Sequence, residues 1–197
     1  MAGLLSQVLL LTALAATVGL TARGWGVGLA CGVVTAAVLS RGMTVQSRRQ
    51  LGPADRVTLS RVVVAGGVAA LTVDSFGHAL VRPVLVVLAA VALALDGVDG
   101  WVARRTGTVS HLGARFDLEA DAFLILVLSV LVARTNGVWV IALGAARYLF
   151  VAAGWAAPWL RGALPLRYWR KVVAATQGVV LTVVASSLLP SWLALTA

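Results

Sequence analysis

Apolar residues fill this chain in long blocks, interrupted by short stretches where arginine, aspartate, glycine and proline gather. Seven blocks stand out: Leu4 to Leu20, Trp25 to Leu39, Val57 to Val73, Ala79 to Leu95, Phe116 to Val132, Val138 to Ala157 and Val172 to Leu189. Several of them are roughly 17 to 22 residues long, about what a helix rising 1.5 Å per residue needs to cross the hydrocarbon core of a bilayer. The pattern predicts an all-α integral membrane protein, a polytopic bundle of about six to seven transmembrane helices. Glycine and alanine are frequent inside the blocks, as expected where membrane helices pack through small side chains. The polar interruption from Arg41 to Asp55 predicts a surface helix or loop. It divides the chain into a two-helix leader (1–40), a basic linker (41–56) and a core (57–197).

Composition supports a membrane setting. Of the 197 residues, 60% are hydrophobic and 12% charged, and the mean hydropathy is +0.97, far from the balance of a water-soluble domain. The net charge of +9 does not imply nucleic acid, because the basic residues sit between apolar blocks rather than on one solvated face. Anionic lipid headgroups and phosphate-bearing substrates are the expected partners. Cys31 is the single cysteine, which excludes an intramolecular disulfide and a thiolate metal cluster; it reads as a small apolar residue. The first block lacks a basic n-region and is followed by further spans, so it is expected to stay in the mature protein.

Basic residues also orient the chain. With alternating spans, the connections Arg41 to Arg56, Gly97 to Arg115 and Pro158 to Lys171 share one side. They carry Arg41, Arg48, Arg49, Arg56, Arg104, Arg105, Arg115, Arg161, Arg167, Arg170 and Lys171, against Arg23, Arg82 and Arg134 opposite. The positive-inside rule assigns the first group to the cytoplasm, in keeping with a cell (plasma) membrane protein. Trp101, Trp159, Trp169 and Trp192 lie near span ends, where amphipathic rings favour the headgroup zone. Asp74, at the outer end of a span, is expected to be solvated.

The acids are the departure from this picture. Five of the seven, Asp96, Asp99, Asp117, Glu119 and Asp121, fall within 26 positions at one cytoplasmic helix–loop–helix. Asp96 and Asp99 are three apart and Asp117 and Asp121 four apart, so each pair projects from one helical face. Two antiparallel helices joined by a short basic loop bring the four carboxylates to one pocket. Carboxylates at the membrane boundary are expensive unless paired or ligated, and an all-oxygen donor set suits magnesium. His78 and His111 have no zinc-site spacing, so no zinc is expected. Gly100, Ala103 and Gly113 keep the stretch open to a ligand such as a nucleotide, and Arg104 can pair with an aspartate or a phosphate.

Written out, Asp96-Gly-Val-Asp99-Gly100-Trp-Val-Ala103-Arg104, eight residues, then Gly113-Ala-Arg-Phe-Asp117-Leu-Glu-Ala-Asp121 resembles the signature of the CDP-alcohol phosphotransferases, D-x2-D-G-x2-A-R-x8-G-x3-D-x3-D, at all eight specified positions. Thr58 and Arg61 resemble the family's T-x2-R element, with Asp55 where an asparagine is common. Arg147, Lys171 and Gln177 look like basic and amide positions of its later helices. The resemblance implies transfer of a substituted phosphate from a CDP-linked donor, usually CDP-diacylglycerol, to an alcohol, with release of CMP. It implies two Mg2+ (or Mn2+) ions held by Asp96, Asp99 and Asp117, with Asp121 as general base and possible further ligand. Gly100, Ala103, Arg104, Gly113, Thr58 and Arg61 would bind the nucleotide, and Arg147, Arg170 and Lys171 a phosphorylated acceptor. Among family activities, phosphatidylglycerophosphate or phosphatidylinositol-phosphate synthesis fits best, and family members are commonly homodimers. The family's core has six helices, whereas this pattern shows five from Val57 onward.

Two other classes use acids in membranes. Prenyltransferases bind magnesium–pyrophosphate with aspartate motifs, but the Gly100 and Gly113 pair, the Ala-Arg dipeptide and the helix number fit them poorly. A cation transporter would spread its acids through the depth of the membrane, whereas these gather near one face.

Overall fold

The computed structural model describes residues 2–45, 53–75, 82–106, 111–157 and 168–186. Among them every regular element is a helix: α1 (Ala2–Val18), α2 (Ala22–Val45), α3 (Pro53–Asp74), α4 (Arg82–Thr106), α5 (His111–Asn136), α6 (Val140–Ala156) and α7 (Tyr168–Ala185). This is the all-α polytopic membrane architecture the apolar blocks predict. By length and composition, Ala22–Thr44, Asp55–Asp74 and Arg82–Val102 are able to cross a bilayer, and Gly3–Val18, Val140–Ala156 and Val172–Ala185 are shorter apolar helices. Helices are the expected solution in hydrocarbon, where each backbone N–H and C=O must find its partner within the segment.

Two boundaries differ from the sequence expectation. The polar run after Leu39 does not end α2, which continues to Val45, and α3 already begins at Pro53. Hydropathy falls there while helical hydrogen bonding continues. Likewise α4 runs ten residues past Asp96, so that Gly97, Gly100 and Trp101 are helical rather than part of a loop. Arg48, Arg49, His78, Trp159, Arg161, Arg167 and Trp192 lie outside the described residues.

The chain forms two compact units, Met1–Ala120 and Asp121–Ala197, and the boundary falls inside the continuous helix α5. In the first unit α3 is the central element, packed against α1, α2 and α4. Its apolar span is 67% buried within the protein, against 17% and 18% for the spans of α2 and α4. The run Ala65–Thr72 is buried on every side, as befits a helix without a polar face. Small residues make this possible. A methyl group added at Gly67 would sit 2.8 Å from a Leu10 methyl, and one at Gly28 of α2 would collide with Leu11. The leader helices therefore reach the core through glycine-lined seams.

A polar contact locks the same assembly. Asp74, at the end of α3, accepts hydrogen bonds from the backbone N–H of Thr21 (2.7 Å) and from its hydroxyl. Thr21 precedes the first residue of α2, and its Oγ1 lies 3.5 Å from the Gly24 N–H as that helix starts. The carboxylate thus sits at the positive end of α2, where a negative charge is stabilised. Asp74 is buried, at 5% exposure, which corrects the expectation that it is solvated. A position at the outer end of one span became interior because a second helix starts against it.

In the second unit α6 lies close to the distal half of α5. A methyl group at Gly144 would fall 2.7 Å from the Leu126 Cα and from Ser129 Oγ. The reversal between the two helices uses Gly137 at φ +100°, a backbone conformation that side chains disfavour. The Trp139 indole N–H closes it by donating to the Asn136 carbonyl at 2.9 Å.

Candidate active site

Three helices contribute to one charged centre. From α3 comes Arg61, whose side chain is only 1% exposed. Its Nη1 donates to Asp96 Oδ1 of α4 and to Asp117 Oδ1 of α5, both at 2.7 Å, and its Nη2 donates to the Asp117 backbone carbonyl at 3.1 Å. One guanidinium therefore joins α4 and α5 to the buried helix α3. Charged hydrogen bonds of this length are the strong kind. They also resolve a local problem, because neither a buried arginine nor two adjacent carboxylates would be stable alone.

Asp121 lies one turn beyond Asp117 on the unbroken helix α5, half-buried like its neighbour. One oxygen each from Asp96, Asp117 and Asp121 lies within 4.8 Å of the others. A donor set of three carboxylates that close together fits a hard divalent cation. Asp96 and Asp117 keep partial access, with side chains 17% and 24% exposed, so the cluster is open to a ligand while its arginine is not.

Other residues singled out in the sequence fall as follows. Thr58, one turn before Arg61 on α3, is buried at 2% exposure. Gly100 on α4 and Gly113 on α5 are half-buried. Asp99, Ala103 and Arg104 belong to α4, but their side chains lie outside the described residues, as do those of Arg170 and Lys171 in the first turn of α7. Arg147 is half-buried on α6, within the second unit. At the end of α4 the Arg105 guanidinium lies over the exposed Trp101 ring, 4.9 Å from its centroid, a pairing suited to the headgroup zone.

Pattern reading missed the direct link between Arg61 and the acidic cluster. Its signal was available, since a charge inside the apolar run Val57 to Val73 requires a partner. Its 35-residue separation from Asp96 was beyond what spacing can pair.

A helical membrane bundle with carboxylates gathered from two successive helices suits a metal-dependent membrane transferase. Residues 51–197 match the family model of the CDP-alcohol phosphatidyltransferases, so the chain belongs to that family. No curated protein and no solved structure was found to match it. Membership makes the chain an integral membrane phosphotransferase, with a CDP-alcohol as donor and an alcohol as acceptor. Divalent metals serve the family, and Asp96, Asp117 and Asp121 are a group able to hold one.

Proposed function

We propose that this protein transfers the phosphatidyl group of CDP-diacylglycerol to a phosphorylated alcohol, in the manner of a phosphatidylglycerophosphate or phosphatidylinositol-phosphate synthase. The observation that carries the reading is the closeness of the Asp96, Asp117 and Asp121 carboxylates, two of them joined through Arg61. On this reading the donor's pyrophosphate lies at the cluster, and Asp96, Asp99, Asp117 and Asp121 would hold two magnesium ions. Bound there, the ions would neutralise charge on the phosphoryl oxygens and on the departing CMP.

The chain's own residues do the rest. Asp121 takes the proton of the acceptor hydroxyl as its oxygen attacks phosphorus, and the phosphorus–oxygen bond to CMP breaks. Gly100, Ala103 and Gly113 leave room for the nucleotide beside the backbone, and Arg104 binds its polar groups; Thr58 and Arg61 are buried, and Arg61 serves the site through the carboxylates it holds. Arg147, Arg170 and Lys171 are assigned to the acceptor's phosphate, for which arginine's planar fork is suited. The site faces the cytoplasm of a cell membrane, on the arginine asymmetry of the connections, and the enzyme acts as a homodimer.

The test is CMP release from CDP-diacylglycerol by the protein in detergent or nanodiscs, with magnesium and a panel of alcohols. Glycerol phosphate or inositol phosphate should support release, and chelation should stop it. Asp121→Asn should lower turnover by about 10²–10⁴-fold, the range for removing a general base, and Asp96→Asn should require far more magnesium. Turnover with unphosphorylated alcohols alone would overturn the acceptor assignment. CMP release that survives in Asp121→Asn would remove the base from that position.

A further inference from the structure

The position of Arg61 has a consequence for how the acidic cluster is loaded. Its Nη1 stands 2.7 Å from the Oδ1 atoms of both Asp96 and Asp117. A cation bound by those two oxygens from the same side would contend with Nη1 for them. We infer that Arg61 is the resident cation of the cluster, and that a divalent ion takes the Oδ1 pair of Asp96 and Asp117 in exchange for it.

Burial sets the terms of this exchange. Arg61 is enclosed by protein and cannot swing to water, whereas the two carboxylates are partly open. The hydrogen bond from Nη2 to the Asp117 carbonyl, at 3.1 Å, holds the guanidinium beside the site when Nη1 lets go. Without a divalent ion, the arginine keeps the Asp96 and Asp117 carboxylates together at the flank of α3. With one bound, the arginine's retained charge opposes the newcomer across a short distance of low dielectric. Arg61 thus stabilises the metal-free cluster and weakens its hold on metal, leaving the loaded state to be completed by the phosphates of a bound donor. This rests on the metal reading proposed above.

The experiment measures binding of Mg2+ and Mn2+ alone, by calorimetry on the full chain in detergent, together with thermal unfolding in chelator and in excess metal. Arg61→Gln is expected to bind the ions at least about tenfold more tightly. It should also melt earlier than wild type in chelator and gain more from added metal. Arg61→Lys keeps the charge and should stay within about threefold of wild-type affinity. A second measurement needs no substitution to fold: the infrared guanidinium C–N stretch of the wild type should shift when metal is added. If Arg61→Gln binds metal as wild type does, or more weakly, Arg61 is a structural tie and the inference fails. An unmoved guanidinium band in metal-bound wild type overturns it equally. If neither the wild type nor Arg61→Gln binds either ion, the metal reading falls first and the inference with it.

Discussion

At the scale of single residues, the two most deeply buried large polar side chains of the first unit differ in how well they are matched. Arg61 has its charge met by two carboxylates and a carbonyl. Gln7 of α1 is equally buried, at 1% exposure, but its Nε2 has no hydrogen-bond partner among the described residues. It is pressed against α3, where a methyl added at Gly66 would lie 2.9 Å from that nitrogen. A buried donor left unsatisfied costs about 1–3 kcal/mol. Gln7→Leu, close in volume and without the donor, should therefore raise the thermal unfolding temperature, and a drop would show that the amide has a function in holding the seam. Neither residue's environment was legible in advance. Nothing in the apolar pattern singles out Gln7, and Arg61 reads as a nucleotide ligand only through the motif it resembles. The identity of the acidic cluster was legible, because five acids in 26 positions of so apolar a chain have few structural explanations.

At the scale of elements, hydropathy located the seven helices of the described residues but not where they stop. It registers the bilayer's edge, whereas helical hydrogen bonding continues into polar sequence, which is why α4 carries Gly97 to Thr106 as helix. That continuation matters to the site, since it keeps Asp96, Asp99 and Gly100 on one rigid element rather than on a loop. Packing between elements is a further layer that spacing does not reveal. Gly144 was one glycine among 20, yet α6 approaches α5 closely enough there that a methyl group would meet the Leu126 backbone at 2.7 Å. Backbone cannot rotate away as a side chain can, so Gly144→Ala should destabilise by about 1–3 kcal/mol, the usual range for overpacking. Thermal unfolding in detergent reads this directly. An unchanged melting temperature would mean that α6 shifts along α5 without penalty.

At the scale of the whole molecule, membrane residence and family membership follow from features spread along the chain, the apolar blocks and the long motif, and both were legible from sequence. The interdependence of leader and core was not, because it rests on Thr21 meeting Asp74 across 53 residues and on glycines that are ordinary in any membrane helix. The family match begins at residue 51, whereas the helix that presents Arg61 is covered by α1 and α2. A chain shortened to that matched region would strip two faces from α3 and leave Asp74 without the N–H and hydroxyl that now donate hydrogen bonds to it. Expressed alone, residues 51–197 should accumulate poorly and melt well below the full chain, even though every signature aspartate is present. Co-expression of residues 1–45 as a separate piece should restore yield, as split membrane proteins reassemble when their helices fit. The boundary of shared ancestry and the boundary of what folds are then different places in this protein, and any attempt to trim it, fuse it or exchange its catalytic part with a relative's should cut ahead of α1.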